Sequence, residues 1–398
     1  MKRQRIRSSI REYSRLVIIC SILILGTTGC WNRRELPDLA IVVGVGLDKV
    51  EDEEVTDKLE LTAQIVKTSE MKSGNKGGGN SEAYWNAKNT GNSIFATIRG
   101  FTHQASRKLY WPHNQVIIFG RDLAKKGIQE YLDFFVRDQE TRLGVWILVA
   151  DDKASEILEV RPSLEKTPAI SLDHLLEAQV ATSQTSAIKL NEFVNRLLSK
   201  TTAPIAAMVK ISSQGSEKSL LVTGTAVFKA DKLIGELNIT ETLGLLWIIN
   251  EVKSGIIDVE CPESNGKVSL EIIRAKSKVT PEIIENKVHF KVEIEEESNI
   301  GSQSCSDNLE HLDAIEKLEE AQIAAIESEV RAALSKAKRL NADVFGFGDI
   351  LHQKLPSEWK EMESMWDEVF PTIEVEVSVD TNVRRSGSSR KAVGQKEE

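Results

Sequence analysis

Histidine, cysteine and aromatic residues are all scarce in this chain. Six histidines among 398 residues lie scattered, with no His-Glu-x-x-His string. His103 and His113 are the nearest pair, but a helix end and a turn are expected between them. Four cysteines with no Cys-x-x-Cys are too few for a zinc ribbon or a disulfide-built scaffold. No Gly-x-Ser-x-Gly elbow occurs, so the nucleophile of an α/β-hydrolase is unsupported. The loop "SGNKGGGNS" lacks the Lys-Ser/Thr ending of a phosphate loop, and Gly44-Val45-Gly46 is too short for a dinucleotide fingerprint. No apolar run reaches the roughly 20 residues that a helix needs to span a bilayer. Chemistry is not where this sequence places its signals, and no metal or cofactor is expected.

Charge is unevenly spread. Residues 1–30 hold six basic side chains and one acid, which leaves 45 basic against 59 acidic residues in the remainder. A body that acidic lacks the clustered Lys and Arg that phosphate backbones require, which excludes nucleic acid as a partner. With 41% apolar and 28% charged residues the chain reads as globular, and its length calls for two or three domains.

The basic start "MKRQRIRSSIREYSR" leads into an apolar stretch of about ten residues at 16–25, the layout of an export signal. Small residues then run into Cys30, with Gly29 directly before it. That is the ending of a bacterial lipoprotein signal, although Thr27 stands where Leu is usual. Two acyl chains on Cys30, at about 0.8 kcal/mol per buried methylene, would give durable attachment where one chain is marginal. An uncleaved anchor with a chance cysteine is the competing reading. After removal of residues 1–29, lipid would take Cys30, leaving Cys261 and Cys305 in a disulfide-permissive compartment. Strands expected at about 256–261, 268–279 and 286–296 form a meander that would bring the two cysteines to one edge. Two free thiols remain the alternative.

The expected fold is mixed α+β in three domains. An N-terminal α/β domain covers 30–200, a small β-rich middle domain 201–257, and a C-terminal antiparallel sheet with a long helix 258–383; a disordered polar tail takes 384–398. "LAIVVGVGLDKV" and "KLELTAQIVK" read as a hairpin. Helices are expected over 92–109, through "LAKKGIQEYLDFFVRD", and in "TETLGLLWIIN" with Thr240 as N-cap. From Leu312 through Ile315, Leu318, Ile323, Ile326, Val330, Leu334 and Ala337 an apolar stripe predicts a helix over 309–340. "SEWKEMESMWDEVF" sets Trp359, Met362, Trp366 and Phe370 on one helical face, a core stripe rather than a ligand platform. The acidic run Glu295–Glu297 reads as a solvated strand end. No internal repeat is present.

The string "GCWNRRELPDLAIVVGVGLDK" resembles the start of the mature Ger(x)C family of spore germination proteins. "WPHNQVIIFG", "GTAVFKADKLIGEL" with "ETLGLLW", and "NADVFGFGDILHQKLPSEWKEMESMW" continue the resemblance in order along the chain. It implies a non-enzymatic lipoprotein, the C subunit of a nutrient germinant receptor, on the outer surface of the spore inner membrane. Its partners would be two integral membrane subunits, A and B, the B type being the expected seat of germinant recognition. No catalytic residues transfer, and Cys30 alone carries over as the lipidation site. Arg33 and Arg34 are then candidates for anionic headgroup contact, each worth about 1 kcal/mol, with a solvated turn as the alternative. A solute-binding lipoprotein of a transporter is the second functional reading, and a cell-envelope hydrolase the third.

Overall fold

Three segments apolar on both faces, "LAIVVGVGL", "VIIF" and "WILVA", become neighbouring strands, because a parallel strand is buried on either side. The computed structural model describes residues 39–50, 58–67, 82–215, 217–309 and 311–384, with Ser14, Ile18 and Ser21 as isolated positions before them. In chain order these hold β1 (Leu39–Lys49), β2 (Leu59–Val66), β3 (Tyr84–Gly91), α1 (Ile94–Gly100), β4 (Lys108–Tyr110) and β5 (Val116–Phe119). Next come α2 (Arg121–Lys126), α3 (Gln129–Arg137), β6 (Trp146–Ala150), α4 (Ala154–Ile157), α5 (Pro168–Ala178) and α6 (Leu190–Leu198). Then follow β7 (Ile205–Gln214), β8 (Glu217–Lys229), β9 (Lys232–Leu237), α7 (Ile239–Ile248), β10 (Ile256–Glu260), β11 (Lys267–Ile284) and β12 (Lys287–Gln303). The last elements are α8 (Leu312–Leu340), α9 (Phe347–Lys354), α10 (Pro356–Met362), α11 (Trp366–Val369) and β13 (Glu374–Arg384).

The fold is mixed α+β. Among the described residues nine strands form one sheet in the order β3-β2-β1-β5-β6-β7-β8-β9, with β4 also paired to β1. Its centre, β1-β5-β6-β7, is parallel and its flanks antiparallel. The boundary expected at residue 200 falls between α6 and β7. The sheet runs across it, since Leu148–Ala150 pair in parallel with Ala207–Val209. A second sheet, β10-β11-β12-β13, begins at Ile256; its first three strands form an antiparallel meander and β13 returns parallel to β12.

Helix boundaries differ from expectation where local chemistry intervenes. The helix expected to reach residue 109 ends at Gly100 and passes through a 3-10 turn into β4. The single helix expected after β5 is broken by Gly127, whose φ of 131° lies outside the helical region, so α2 and α3 are separate. Asn238, not Thr240, caps α7: its side chain accepts from the Glu241 N–H while the Glu241 carboxylate accepts from the Asn238 N–H. Helix α8 contains neither Gly nor Pro and stops at Asn341, which takes the left-handed conformation of a C-terminal cap. It buries Leu318, Ile326, Val330, Ala333 and Ala337, whereas Leu312, placed at the head of the expected stripe, is exposed. The expected Trp-rich helix is broken into α10 and α11 by a 3-10 turn. Trp359, Trp366 and Phe370 are nonetheless all buried, with Trp359 edge-on to Trp366 at 5.4 Å.

Candidate functional site

Cys30, Arg33 and Arg34 lie outside the described residues. Cys261 and Cys305 are brought together as a disulfide, Cα atoms 6.5 Å apart, at the edge where β10 ends and β12 leaves the sheet. Asp307 stands beside it. Its carboxylate accepts from the Ser264 hydroxyl, which chiefly holds its pKa below the usual range, and from the Glu263 and Ser264 N–H groups, which add to that.

The string "NADVFGFGD" forms a joint against the segment that links α6 to β7. Asp343 is buried, and its carboxylate accepts from the backbone N–H groups of Gly346 (2.9 Å), Phe347 (3.0 Å) and Gly348 (2.8 Å) and from Trp366 Nε1 (3.3 Å). Burial pushes this carboxyl up to about 6 against the downward pull of those four donors. Its backbone oxygen accepts from the Ala203 N–H at 2.8 Å. Arg196 Nη1 donates to Ala203 O (3.2 Å) and Val344 O (2.9 Å). Asp349 gathers the hydroxyls of Ser199, Thr201 and Thr202, the last at 2.6 Å. The Asp343 carboxylate thus fixes its own turn and the Trp366 indole, while the Asp349 carboxylate holds together two stretches of chain about 150 residues apart.

A second contact is the crossing of α7 and α8, where Gly244 packs on the backbone of Glu329. Trp247 Nε1 donates to Glu329 Oε2 at 2.8 Å, and burial pushes that carboxyl up to about 7. Further along α8, Gln322 Nε2 donates to Glu296 Oε2 at 2.8 Å, and Ser298 hydrogen-bonds Gln322. Glu296 Oε1 has no hydrogen-bond partner among the described residues. Burial, and then the neighbouring charge of Glu297, push Glu296 up to about 8.

This arrangement has a signed consequence. A carboxyl near 4.5 in the unfolded chain and about 8 in the folded one binds its proton more tightly when folded. Its stabilising contribution is complete below about pH 4.5 and is lost as pH rises through 8. Glu296→Gln is expected to match the wild type near pH 5 and to exceed it by about 2 kcal/mol near pH 9. Urea unfolding at the two pH values checks this; equal stabilities at both would show that Glu296 is not held protonated.

The profile of the spore germination protein N-terminal domain matches residues 32–211, and that of the B3/GerAC-like C-terminal domain matches 223–387. The chain belongs to the Ger(x)C family of spore germination proteins. It is similar to spore germination protein KC of Bacillus subtilis strain 168, at 26% identity over 94% of this chain and 95% of that protein. It is also similar to spore germination protein GerQC of Bacillus cereus, at 24% identity over 94% and 98% respectively. The crystal structure of the GerBC protein shares its fold, with a TM-score of 0.54 and 16% identity over 85% of this chain and 97% of that one. A role in spore germination follows from the family. In this Ger(x)C chain the two matched regions meet within the β7–β8 hairpin of the first sheet. The joint therefore ties the C-terminal region to the N-terminal one in addition to the hairpin, while the crossing of α7 and α8 lies within the C-terminal region itself. Among the described residues no helix is long and apolar enough to cross a membrane.

Proposed function

We propose that this protein is the lipid-anchored C subunit of a nutrient germinant receptor and works without chemistry of its own. It would stand on the outer face of the spore inner membrane and act with two integral membrane subunits, A and B. The observation that carries this reading is the order of the signals: a Gly29-Cys30 lipoprotein ending directly precedes two germination-family regions spanning 32–387. The acids support a scaffold role, because the buried Asp48 and Asp343 and the half-buried Glu329 each accept hydrogen bonds that fix the fold. Asp48, for example, takes the N–H groups of Ala154 and Ser155 at the start of α4.

On this reading Cys30 is the membrane attachment. Cys30→Ala is expected to abolish incorporation of labelled fatty acid and to lower the membrane-bound fraction about a hundredfold, since two acyl chains are lost together. Fractionation of labelled cells reads both quantities. A variant that stays labelled and membrane-bound would contradict the anchor.

A further inference from the structure

A half-open groove of about 740 Å³ lies between the C-terminal end of α5, the segment 183–189, α6 and the end of α7. Its volume is in the range of small-molecule sites, and it sits where the two family regions pack together, a common location for such sites. Three features of its lining call for a ligand. Ser186 is 2% exposed, and its hydroxyl has no hydrogen-bond partner among the described residues; buried hydroxyls are rarely left so. Arg196 spends Nη1 on two carbonyls, while Nε and Nη2 form no hydrogen bond among the described residues. Glu192, one helical turn before Arg196, shares the groove with Glu251, two carboxylates near enough to repel each other. Leu246 and Ile249 supply an apolar wall.

A lining with both signs of charge suits neither a simple anion nor a simple cation. Lys253 already lies 3.3 Å from Glu251, and Lys189 stands 4.5 Å over the Trp146 ring, so the lysines are engaged. The groups with hydrogen-bonding capacity left are Arg196 Nε and Nη2, the Ser186 hydroxyl and the Glu192 carboxylate. We propose that the groove binds a small zwitterion, its carboxylate on Arg196 and Ser186, its ammonium on Glu192, and its apolar body over Leu246 and Ile249. Burial together with Glu251 holds Glu192 above its usual range, a cost that a bound ammonium would relieve.

The test is calorimetric titration of the detergent-solubilised full chain with glycine, γ-aminobutyrate and ε-aminocaproate as zwitterions of graded length. Butyrate and butylamine serve as the separate halves. At least one zwitterion is expected to saturate a single site, with each half about tenfold weaker or more, as the loss of a charge-assisted contact implies. Glu192→Gln should weaken the zwitterion about tenfold and leave butyrate unchanged, whereas Ser186→Ala should weaken both. Thermal unfolding of each variant, run alongside, separates lost binding from lost fold. Absence of saturation with all three zwitterions would overturn the proposal and leave the groove to water, as would zwitterion binding indifferent to Glu192→Gln. Either failure concerns this groove alone, because the receptor reading is judged by germination and not by affinity.

Discussion

Gly244→Ala is expected to destabilise the protein by about 3 kcal/mol or more, an unusually large cost for adding one methyl group. A Cβ at this position would lie 2.0 Å from the carbonyl oxygen of Glu329, 2.5 Å from its carbonyl carbon and 2.9 Å from Ala333 Cβ. The first two are backbone atoms of α8 and cannot step aside as the end of a flexible side chain would. The helices would have to part, stretching the bond from Trp247 Nε1 to Glu329 and reopening the faces that bury Leu245, Trp247 and Ala333. Gly144→Ala is the control, since a Cβ there meets nothing within 4 Å; it should change stability by no more than about 0.5 kcal/mol. Chemical unfolding of both variants decides the matter. Similar midpoints would mean that the close approach of α7 and α8 does not support the fold.

Asp343→Ala is expected to cost about 4 kcal/mol, because it deprives three backbone N–H groups and the Trp366 indole N–H of their acceptor inside a buried turn. Asp343→Asn keeps one carbonyl oxygen but aims an amide at donors, and should cost about half as much. The backbone bond from Ala203 N–H to Asp343 O is unaffected in either variant, so the loss should report the side chain. Hydrogen exchange at Gly346, Phe347 and Gly348 is the local readout, with faster exchange expected than in the wild type. Unchanged protection there would contradict a joint organised by this carboxylate.

The C-terminal half was the more legible in sequence. Period-two alternation placed β11 and β12 near their observed positions, and the apolar stripe located α8 to within a few residues. The acidic run of β12 departs from the expected solvated strand end. Glu296 belongs to the row of Phe290, Val292 and Ile294 that faces the core, and only Glu295 and Glu297 face out, so the run is not a solvated strand end. The alternation itself carried that signal, but three consecutive acids outweighed it. Its partner Gln322 sits among apolar residues of α8, and neither residue alone indicates the other across 26 positions. The continuity of the first sheet past residue 200 had no local signature, because parallel pairing of β6 with β7 is decided by the helices and loops between them. The joint was legible as a family string but not as a mechanism, since the partners of Asp343 are mainly backbone N–H groups that no side-chain pattern announces.

The central claim, a C subunit of a nutrient germinant receptor, is tested most directly by germination of spores that lack this protein. They are exposed to nutrient mixtures and, separately, to calcium dipicolinate, a trigger that bypasses nutrient receptors. The account predicts loss of at least one nutrient response with the calcium dipicolinate response intact, and recovery when the wild-type chain is restored. Failure of both triggers would contradict it and point to a general defect of the spore envelope.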